Sequence, residues 1–391
     1  MGSARRSDKP GDEPTRVFIV SASMGGGHNG AARELARRLD ERGCETTVVE
    51  FLDAFPLRIG WFLRHAFFFQ LRHARWSYEV LYRWGHRLTW VLVPIDSRLS
   101  RRRLAEWIDA FEPDVIVSTY PISSFVLGRL NRAGRLDAPV VTFLTDFAVH
   151  ALWVHDGVDV HLAVHPLAAQ QAFDHRPGRS LAPGPLVHPK FSAPLDRAEA
   201  RRELGLRNDQ IAVLVVAGSW GVGDVDETVD DILSDGRFIT IAVCGEDEPL
   251  RQALSDAGKG IVLGWTDKMP ELMAAADVLV ENAGGLTSLE AMTIGLPVIT
   301  YRPIPGHGRD NAAAMNQAGV SWYARSKAEL IFALERLSEP GEEREQMRQS
   351  TRTMFADDPA IEVLAIAHQA RAKRLRTSNS AERTFRSSVQ P

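Results

Sequence analysis

The sequence predicts an α/β fold made of two Rossmann-like, doubly wound domains facing each other across a cleft. Three observations predict it. Short apolar runs of strand length alternate with helical stretches, the pattern of parallel strands whose crossovers cover both faces of a sheet. The alternation stops in a proline-rich stretch, Ala182-Pro-Gly-Pro-Leu-Val-His-Pro189 and Ser192-Ala-Pro194, and then restarts. The chain has 391 residues, and single hydrophobic cores stop growing at roughly 250–300.

The elements follow in order. Residues 1–14 are polar and are expected to be disordered. Arg16 to Ala22 reads as a buried strand, Met24 to Gly30 as a turn and Ala31 to Arg42 as a helix, with a second strand from Thr46 to Phe51. Asp114 to Ser118, Pro139 to Phe143 and Val158 to Val164 continue the sheet, which assigns 15–185 to the first domain and 186–196 to the linker. Strands at Ile211 to Ala217, Phe238 to Cys244, Gly260 to Leu263, Asp277 to Val280 and Pro297 to Tyr301 build a second domain over 197–355. An amphipathic stretch, Ile361 to Arg376, predicts a C-terminal helix within 356–377, and the polar residues 378–391 are expected to be disordered.

Composition narrows the function classes. A hydrophobic content of 45% with 25% charged residues is ordinary for a globular protein and argues against a coiled coil. The net charge of −4 makes the whole molecule a poor trap for nucleic acid, so no nucleic-acid partner is expected. Cys44 and Cys244 stand alone, giving neither a disulfide framework nor a cysteine metal site, as expected in a reducing cytoplasm. No run of about 18 uncharged apolar residues occurs, so neither a membrane span nor a cleavable export signal is expected.

Three glycine-rich turns carry the chemistry. Gly25-Gly-Gly-His-Asn-Gly30 follows a strand and opens a helix, where unpaired N–H groups and the helix dipole favour an anion. It also satisfies G-x-G-x-x-G, and Glu50 ends the next strand where a dinucleotide fold places its ribose carboxylate, which keeps an NAD-dependent oxidoreductase as a rival. Ala217-Gly-Ser-Trp-Gly-Val-Gly223 repeats the strand–turn–helix arrangement in the second half. At Asn282-Ala-Gly-Gly-Leu-Thr-Ser-Leu-Glu-Ala-Met292, Gly284, Gly285 and Thr287 start a helix carrying Glu290. A helix start suits a diphosphate, and a carboxylate one turn on can accept both ribose hydroxyls; the alternative is a carboxylate that only caps the dipole.

Met24-Gly-Gly-Gly-His28, Ala217 to Gly223, Leu263-Gly-Trp-Thr-Asp-Lys-Met269 and Glu281 to Ala291, in that order, resemble the monogalactosyldiacylglycerol synthase and processive diacylglycerol glucosyltransferase family, related to the N-acetylglucosaminyltransferase that forms lipid II. The resemblance covers about residues 16–355. It implies the GT-B fold, with the acceptor domain first and the UDP-sugar domain second, and an inverting transfer without a catalytic metal or other cofactor. Carried over, Gly264, Trp265 and Met269 face the base of a UDP-glucose or UDP-galactose donor. Gly218, Ser219, Gly221 and Gly223, with Gly284, Gly285, Leu286 and Thr287, hold the diphosphate, and Glu290 holds the ribose. At the sugar end relatives often carry Gly-Gln-Glu and then Asn. Here His307 and Gly308 stand in place of Gln and Glu, while Asn311 remains, which detaches the choice of hexose from the resemblance. Asn282 also stands where a lysine is common.

Transfer from an anomeric carbon needs a base on the acceptor hydroxyl and stabilisation of the leaving diphosphate. His28 is the leading base, since an imidazole titrates near neutrality, and Gly26 and Gly27 belong with it on the acceptor side. Asp146 is the rival, at the carboxyl end of a parallel strand, with His150 and Trp153 nearby in a segment that again resembles the family. His150, His155, His161 and His165 invite a metal reading but lack ligand spacing, and Asp224-Val-Asp226 reads better as a helix cap than as a metal motif.

Within residues 57–103, Trp61 to Trp90 holds ten aromatic residues, among them Trp61, Phe67, Phe68, Trp76, Trp84 and Trp90, interleaved with Arg64, Arg72, Arg75, Arg83 and Arg87. That reads as an interfacial helix pair for an anionic membrane, against the alternative of a core hairpin covered by arginine stems. The resemblance implies a diacylglycerol-type acceptor at the inner face of the cell membrane, which fits the first reading and makes the protein peripheral. A soluble acceptor, or a nucleotide-sugar sensor without turnover, are the other readings.

Overall fold

The computed structural model describes residues 13–74, 77 and 100–388. Trp76, Trp84, Trp90, Arg75, Arg83 and Arg87 of the aromatic segment, and residues 1–12 and 389–391 of the expected disordered ends, lie outside the described residues.

In the first domain, β1 (Arg16–Ser21), α1 (Gly26–Asp40), β2 (Glu45–Glu50), α2 (Ile59–His73), α3 (100–111), β3 (Val115–Ser118), α4 (Pro121–Arg132), β4 (Val140–Leu144), β5 (Val160–Ala163), α5 (Pro166–His175) and β6 (Arg179–Leu181) form a parallel sheet in the order β2-β1-β3-β4-β5-β6. β1 shows why the run Val-Phe-Ile-Val makes a central strand. Val17 and Ile19 pack on Leu35 and Leu39 of α1, while Phe18 and Val20 pack on Phe51 and Ile116 at the opposite face, so both faces are covered.

The second domain repeats the plan. α6 (Arg197–Glu203), β7 (Ile211–Val216), α7 (Val225–Leu233), β8 (Phe238–Val243), α8 (Glu248–Asp256), β9 (Ile261–Leu263), α9 (Met269–Ala275), β10 (Val278–Glu281), α10 (Leu286–Ile294), β11 (Val298–Tyr301), α11 (His307–Gln317), β12 (Trp322–Ala324), α12 (Lys327–Ser338) and α13 (Glu342–Arg352) surround a parallel sheet ordered β12-β11-β10-β7-β8-β9. In each sheet the strand order reverses beside the first strand. The crevices at the carboxyl ends of β1 and β3, and of β7 and β10, are where open sheets bind ligands.

α14 (Pro359–Ser388) returns to the first domain. Its Ala360, Val363, Ile366 and Ala367 are buried in the cluster that contains Leu35 and Leu39, and Asp358 pairs with Arg38 at 3.0 Å and Arg42 at 2.5 Å. This helix passes the expected boundary at 377 and runs on to Ser388. No glycine or proline interrupts 360–390, and a helix already nucleated extends at little cost through Ala381, Glu382 and Arg383. α1 likewise starts at Gly26 rather than at Ala31, because the chain has already turned at Met24 and Gly25, the latter at φ +116°. β6 and β12 were not expected; each has only three residues at a sheet edge. Among the described residues, no helix is long and apolar enough to cross a membrane.

Candidate active site

The first domain contributes the end of β1 and the end of β4. Since α1 begins at Gly26, His28 sits in its first turn. His28 Nδ1 lies 3.1 Å from Thr145 Oγ1, and the Thr119 hydroxyl donates to the His28 carbonyl at 3.2 Å. Tyr120 meets the imidazole edge-on at 5.2 Å, with Trp153 at 5.8 Å. Asp146 follows β4, and its Oδ2 accepts the indole N–H of Trp153 at 3.2 Å. Burial lowers the pKa of His28 below its ordinary value, while the Asp146 carboxylate and the Thr119 backbone carbonyl, which accepts from the imidazole, pull it back up. Burial takes His150 down to about 4. A neutral imidazole beside a carboxylate is the protonation state a base requires.

Trp153 was expected to meet the acceptor or membrane. It is wholly buried: an interior indole needs an acceptor for its N–H, and Asp146 supplies it. His150 packs on the same indole at 6.2 Å and does not line the cleft. Of the remaining histidines, His161 is buried within β5, and His165 accepts from the Leu167 N–H at the start of α5.

The second domain contributes two glycine turns. Gly218 and Ser219 line the cleft. Gly221 and Gly223, expected to hold the diphosphate, are turned into the protein: a Cβ on Gly221 would stand 2.6 Å from the Cys244 carbonyl, and one on Gly223 2.1 Å from Asn282 Nδ2. Both have positive φ, so the turn needs glycine there for packing. Gly284 likewise backs onto Met315 and Asn311, and Gly264 onto Arg251, while Gly285, Leu286 and Thr287 face the cleft at the start of α10. Asn282 donates from Nδ2 to the Val222 carbonyl at 2.8 Å and so joins the two turns.

Sequence reasoning missed Glu281. Its carboxylate accepts from the Ala283 and Gly284 N–H groups at 2.7 and 2.6 Å and from the Thr300 hydroxyl at 2.5 Å, which fixes the approach to α10. The signal was present as a carboxylate ending a buried apolar strand, Val278-Leu-Val-Glu281. Glu290 lies in the second turn of α10, past the capping positions, and burial raises its carboxyl to about 7 against the opposing pull of Lys190. Trp265 and Met269 line the cleft beyond it. Pro305 to Asn311 is largely helical: His307 opens α11 and lines the cleft, and Asn311 is buried. Asn311, expected at the sugar hydroxyls, accepts the Ala148 N–H at 2.9 Å and donates to the Ala283 carbonyl at 3.3 Å, tying one domain to the other.

The starts of α1 and α10 face each other. A Cβ on Gly27 would stand 4.0 Å from Leu286 N, and one on Gly26 4.0 Å from Ser219 Oγ. Gly26 and Gly27, expected on the acceptor side, thus lie against the glycine turns of the second domain. Between the domains is a cleft of about 470 Å³ with His28, Asp146 and His307 in one region and Glu290 and Trp265 in another part of its wall. Two helix starts make such a wall attractive to an anion. The rival carboxylate Glu50 is engaged elsewhere: it accepts from Ser23 N, Ser23 Oγ and Leu52 N at 2.8, 2.5 and 3.0 Å, so it orders the loop after β1. Asp224 occupies the N-cap position of α7, but its side chain makes no capping bond. Among the described residues, no group of three His, Cys, Asp or Glu side chains is placed to hold a metal.

α2 reaches across the cleft. Phe68 meets Trp220 edge-on at 5.2 Å, Phe67 meets it at 6.4 Å, and Arg72 Nη2 donates to Asp247 at 2.9 Å. Phe67, Phe68 and Arg72 therefore face the second domain. Trp61, Phe62 and Phe69 are exposed.

The monogalactosyldiacylglycerol (MGDG) synthase family matches residues 28–176, and the glycosyltransferase family 28 C-terminal domain matches 212–362. The chain is 25% identical over 350 residues to a processive diacylglycerol beta-glucosyltransferase of Bacillus pumilus (strain SAFR-032), covering 87% of this chain and 91% of the relative. It is 25% identical over 327 residues to the protein of the same name in Bacillus subtilis (strain 168), covering 81% and 85%. Among solved structures, Acinetobacter baumannii MurG superposes with a TM-score of 0.56 at 16% identity, over 91% of this chain and 100% of that one. Medicago truncatula UGT71G1 complexed with UDP-glucose superposes with a TM-score of 0.59 at 15% identity, over 92% and 98%. With two facing Rossmann-like domains, glycine turns lining the cleft between them, a monogalactosyldiacylglycerol synthase match in the first domain and a glycosyltransferase family 28 C-terminal match in the second, the chain is a glycosyltransferase of the GT-B fold, similar to the processive diacylglycerol glucosyltransferases.

Proposed function

We propose that the protein transfers a hexose, with inversion, from UDP-glucose or UDP-galactose to the hydroxyl of a diacylglycerol-type lipid at the inner face of the cell membrane. The observation that carries this reading is the start of α10 lying across the cleft from His28 and Asp146. The relatives named as diacylglycerol glucosyltransferases and the structural relative holding UDP-glucose support it.

In this reading Gly218, Ser219 and Gly285 to Thr287 hold the diphosphate, Glu290 accepts the ribose hydroxyls, and Trp265 and Met269 flank the base. His307 stands near the sugar. His28 Nε2 takes the proton of the acceptor hydroxyl, whose oxygen attacks the anomeric carbon from the face opposite the diphosphate. The bond to the diphosphate breaks and its electrons leave with UDP. The charge that develops there meets the N-termini of α10 and α1, preorganised dipoles that need no resident metal. Asp146, held by Trp153, stabilises the imidazolium. The exposed Trp61, Phe62 and Phe69 beside Arg58 and Arg64 form an aromatic and basic surface suited to anionic lipid headgroups.

The test is UDP release from a panel of UDP-sugars, with and without vesicles containing diacylglycerol and anionic phospholipid. Turnover dependent on the vesicles is expected. Transfer to small alcohols without lipid would favour a soluble acceptor, and binding of none of the UDP-sugars would sink the donor assignment.

A further inference from the structure

Trp220 belongs to the glycine turn of the second domain, yet its indole faces the first. Phe68 meets it at 5.2 Å with the rings at 85°, and Phe67 at 6.4 Å with the rings at 67°. Arg72, one turn beyond Phe68 on α2, pairs with Asp247, and Asp247 lies directly behind the turn, its Cβ 2.6 Å from where a side chain on Gly221 would begin. The contact is therefore aromatic at one point and ionic at another, with both anchored on the segment that carries Gly218 and Ser219.

The same indole lines the cleft. Met24, Phe67, Leu71, Trp220 and Val222 form an apolar part of its wall, in the same cavity as His28 and Asp146. Neither a diphosphate nor a ribose gains from an apolar wall, and the turn meets polar groups through Gly218 and Ser219. An acceptor with hydrocarbon next to its reactive hydroxyl does gain, because burying a methylene group contributes about 0.8 kcal/mol. α2 joins the two environments: Phe67 and Leu71 line the cleft, while Trp61, Phe62 and Phe69 of the same helix are exposed.

We propose that Trp220 is an acceptor-specificity residue: seated against Phe67 and Phe68, its indole forms the donor-domain wall that packs the hydrocarbon of the acceptor beside its reactive hydroxyl. The domain that binds the nucleotide thereby also selects an apolar acceptor. The ion pair between Arg72 and Asp247 holds this wall in register with α2. This rests on the lipid-acceptor reading above.

The experiment uses the full chain, the UDP-hexose that the wild type turns over, and dioctanoylglycerol in mixed micelles, with UDP affinity measured by calorimetry. Trp220→Ala is expected to raise KM for dioctanoylglycerol about tenfold, the weight of one lost aromatic contact with its buried area, and to change UDP affinity less than twofold. Trp220→Phe restores most of the acceptor affinity, and Phe68→Ala shifts acceptor KM in the same direction by a smaller factor. An acceptor KM unchanged in Trp220→Ala overturns the assignment. If Trp220→Ala no longer binds UDP, Phe68→Ala decides, because it leaves the turn intact: an acceptor KM equal to that of the wild type, or an equal loss for UDP and acceptor, overturns it. A wild type that turns over UDP-hexose but transfers to no diacylglycerol overturns the lipid-acceptor reading itself, whereas wild-type transfer with wild-type-like variants overturns only the role of Trp220.

Discussion

The indole N–H of Trp153 donates to the carboxylate of Asp146 at 3.2 Å, and both side chains border the imidazole of His28. Asp146 thus acts on His28 from a fixed position, and its charge raises the imidazole pKa against the lowering by burial. The base must be neutral to act, so kcat/KM rises with pH through the pKa of His28, and the acidic limb lies below the ordinary histidine value of 6.5. Asp146→Asn removes the raising influence. The acidic limb is expected to move to still lower pH while the plateau rate falls about a hundredfold. A limb that stays in place or moves up would exclude the coupling.

His28→Ala is expected to lower kcat about 10²–10⁴-fold, the usual share of a positioned base, with UDP affinity little changed. Single-turnover kinetics at saturating diacylglycerol vesicles separate this from an acceptor-binding defect. Unchanged turnover would remove His28 from catalysis.

Glu290 titrates in the physiological range. With its carboxyl raised to about 7 in the free protein, it is largely protonated at pH 6, and ribose hydroxyls donating to the carboxylate favour the ionised form. UDP binding should therefore release a proton below about pH 7, and affinity should rise from pH 5.5 and level off above 7.5. Calorimetry in buffers of different ionisation enthalpy measures the release. Glu290→Gln abolishes it and weakens binding about tenfold. The same shift makes a stability statement. The unfolded carboxyl ionises near 4.5, so between 4.5 and 7 the native state holds the extra proton and stability falls as pH rises; Glu290→Gln should raise Tm of the ligand-free protein at pH 8.

Gly223→Ala forces a Cβ onto Asn282 Nδ2 at a residue with φ +125°. Strain and displacement together are expected to destabilise the protein by about 1–3 kcal/mol and to weaken UDP binding, because Asn282 joins the two donor turns. Denaturant titration and calorimetry check both; a variant as stable and as tight as the wild type would contradict the packing role.

Replacing Trp61 and Phe62 together with Ala should lower partitioning onto anionic vesicles about tenfold or more, with UDP affinity unchanged, since these rings are exposed on α2 away from the cleft. Sedimentation with vesicles of phosphatidylglycerol measures it. Equal partitioning of variant and wild type would place membrane contact elsewhere.

The strands were legible in the sequence wherever both faces are buried, as in Val17 to Val20, because such a run has few other uses. β6 and β12 were not, since three residues give no period to read. The glycine turns were found by spacing, yet spacing cannot tell a glycine that lines the cleft, such as Gly218, from one that admits a neighbour, such as Gly223. An aromatic beside a candidate catalytic carboxylate gives no sign of its burial, which is why Trp153 read as an acceptor contact. Glu281 escaped notice because only the folded chain reveals that its oxygens are all engaged by the turn before α10.

The return of α14 to α1 and to Asp114 near β3 sets an order of events during synthesis. Leu35, Leu39 and their neighbours are translated first, but the residues that cover them, Ala360, Val363, Ile366 and Ala367, come more than 320 positions later. Until the ribosome has released nearly the whole polypeptide, the nascent first domain carries an uncovered apolar strip, a hazard for aggregation that lasts as long as elongation does. A first domain expressed without residues 359–391 would keep that strip exposed for good.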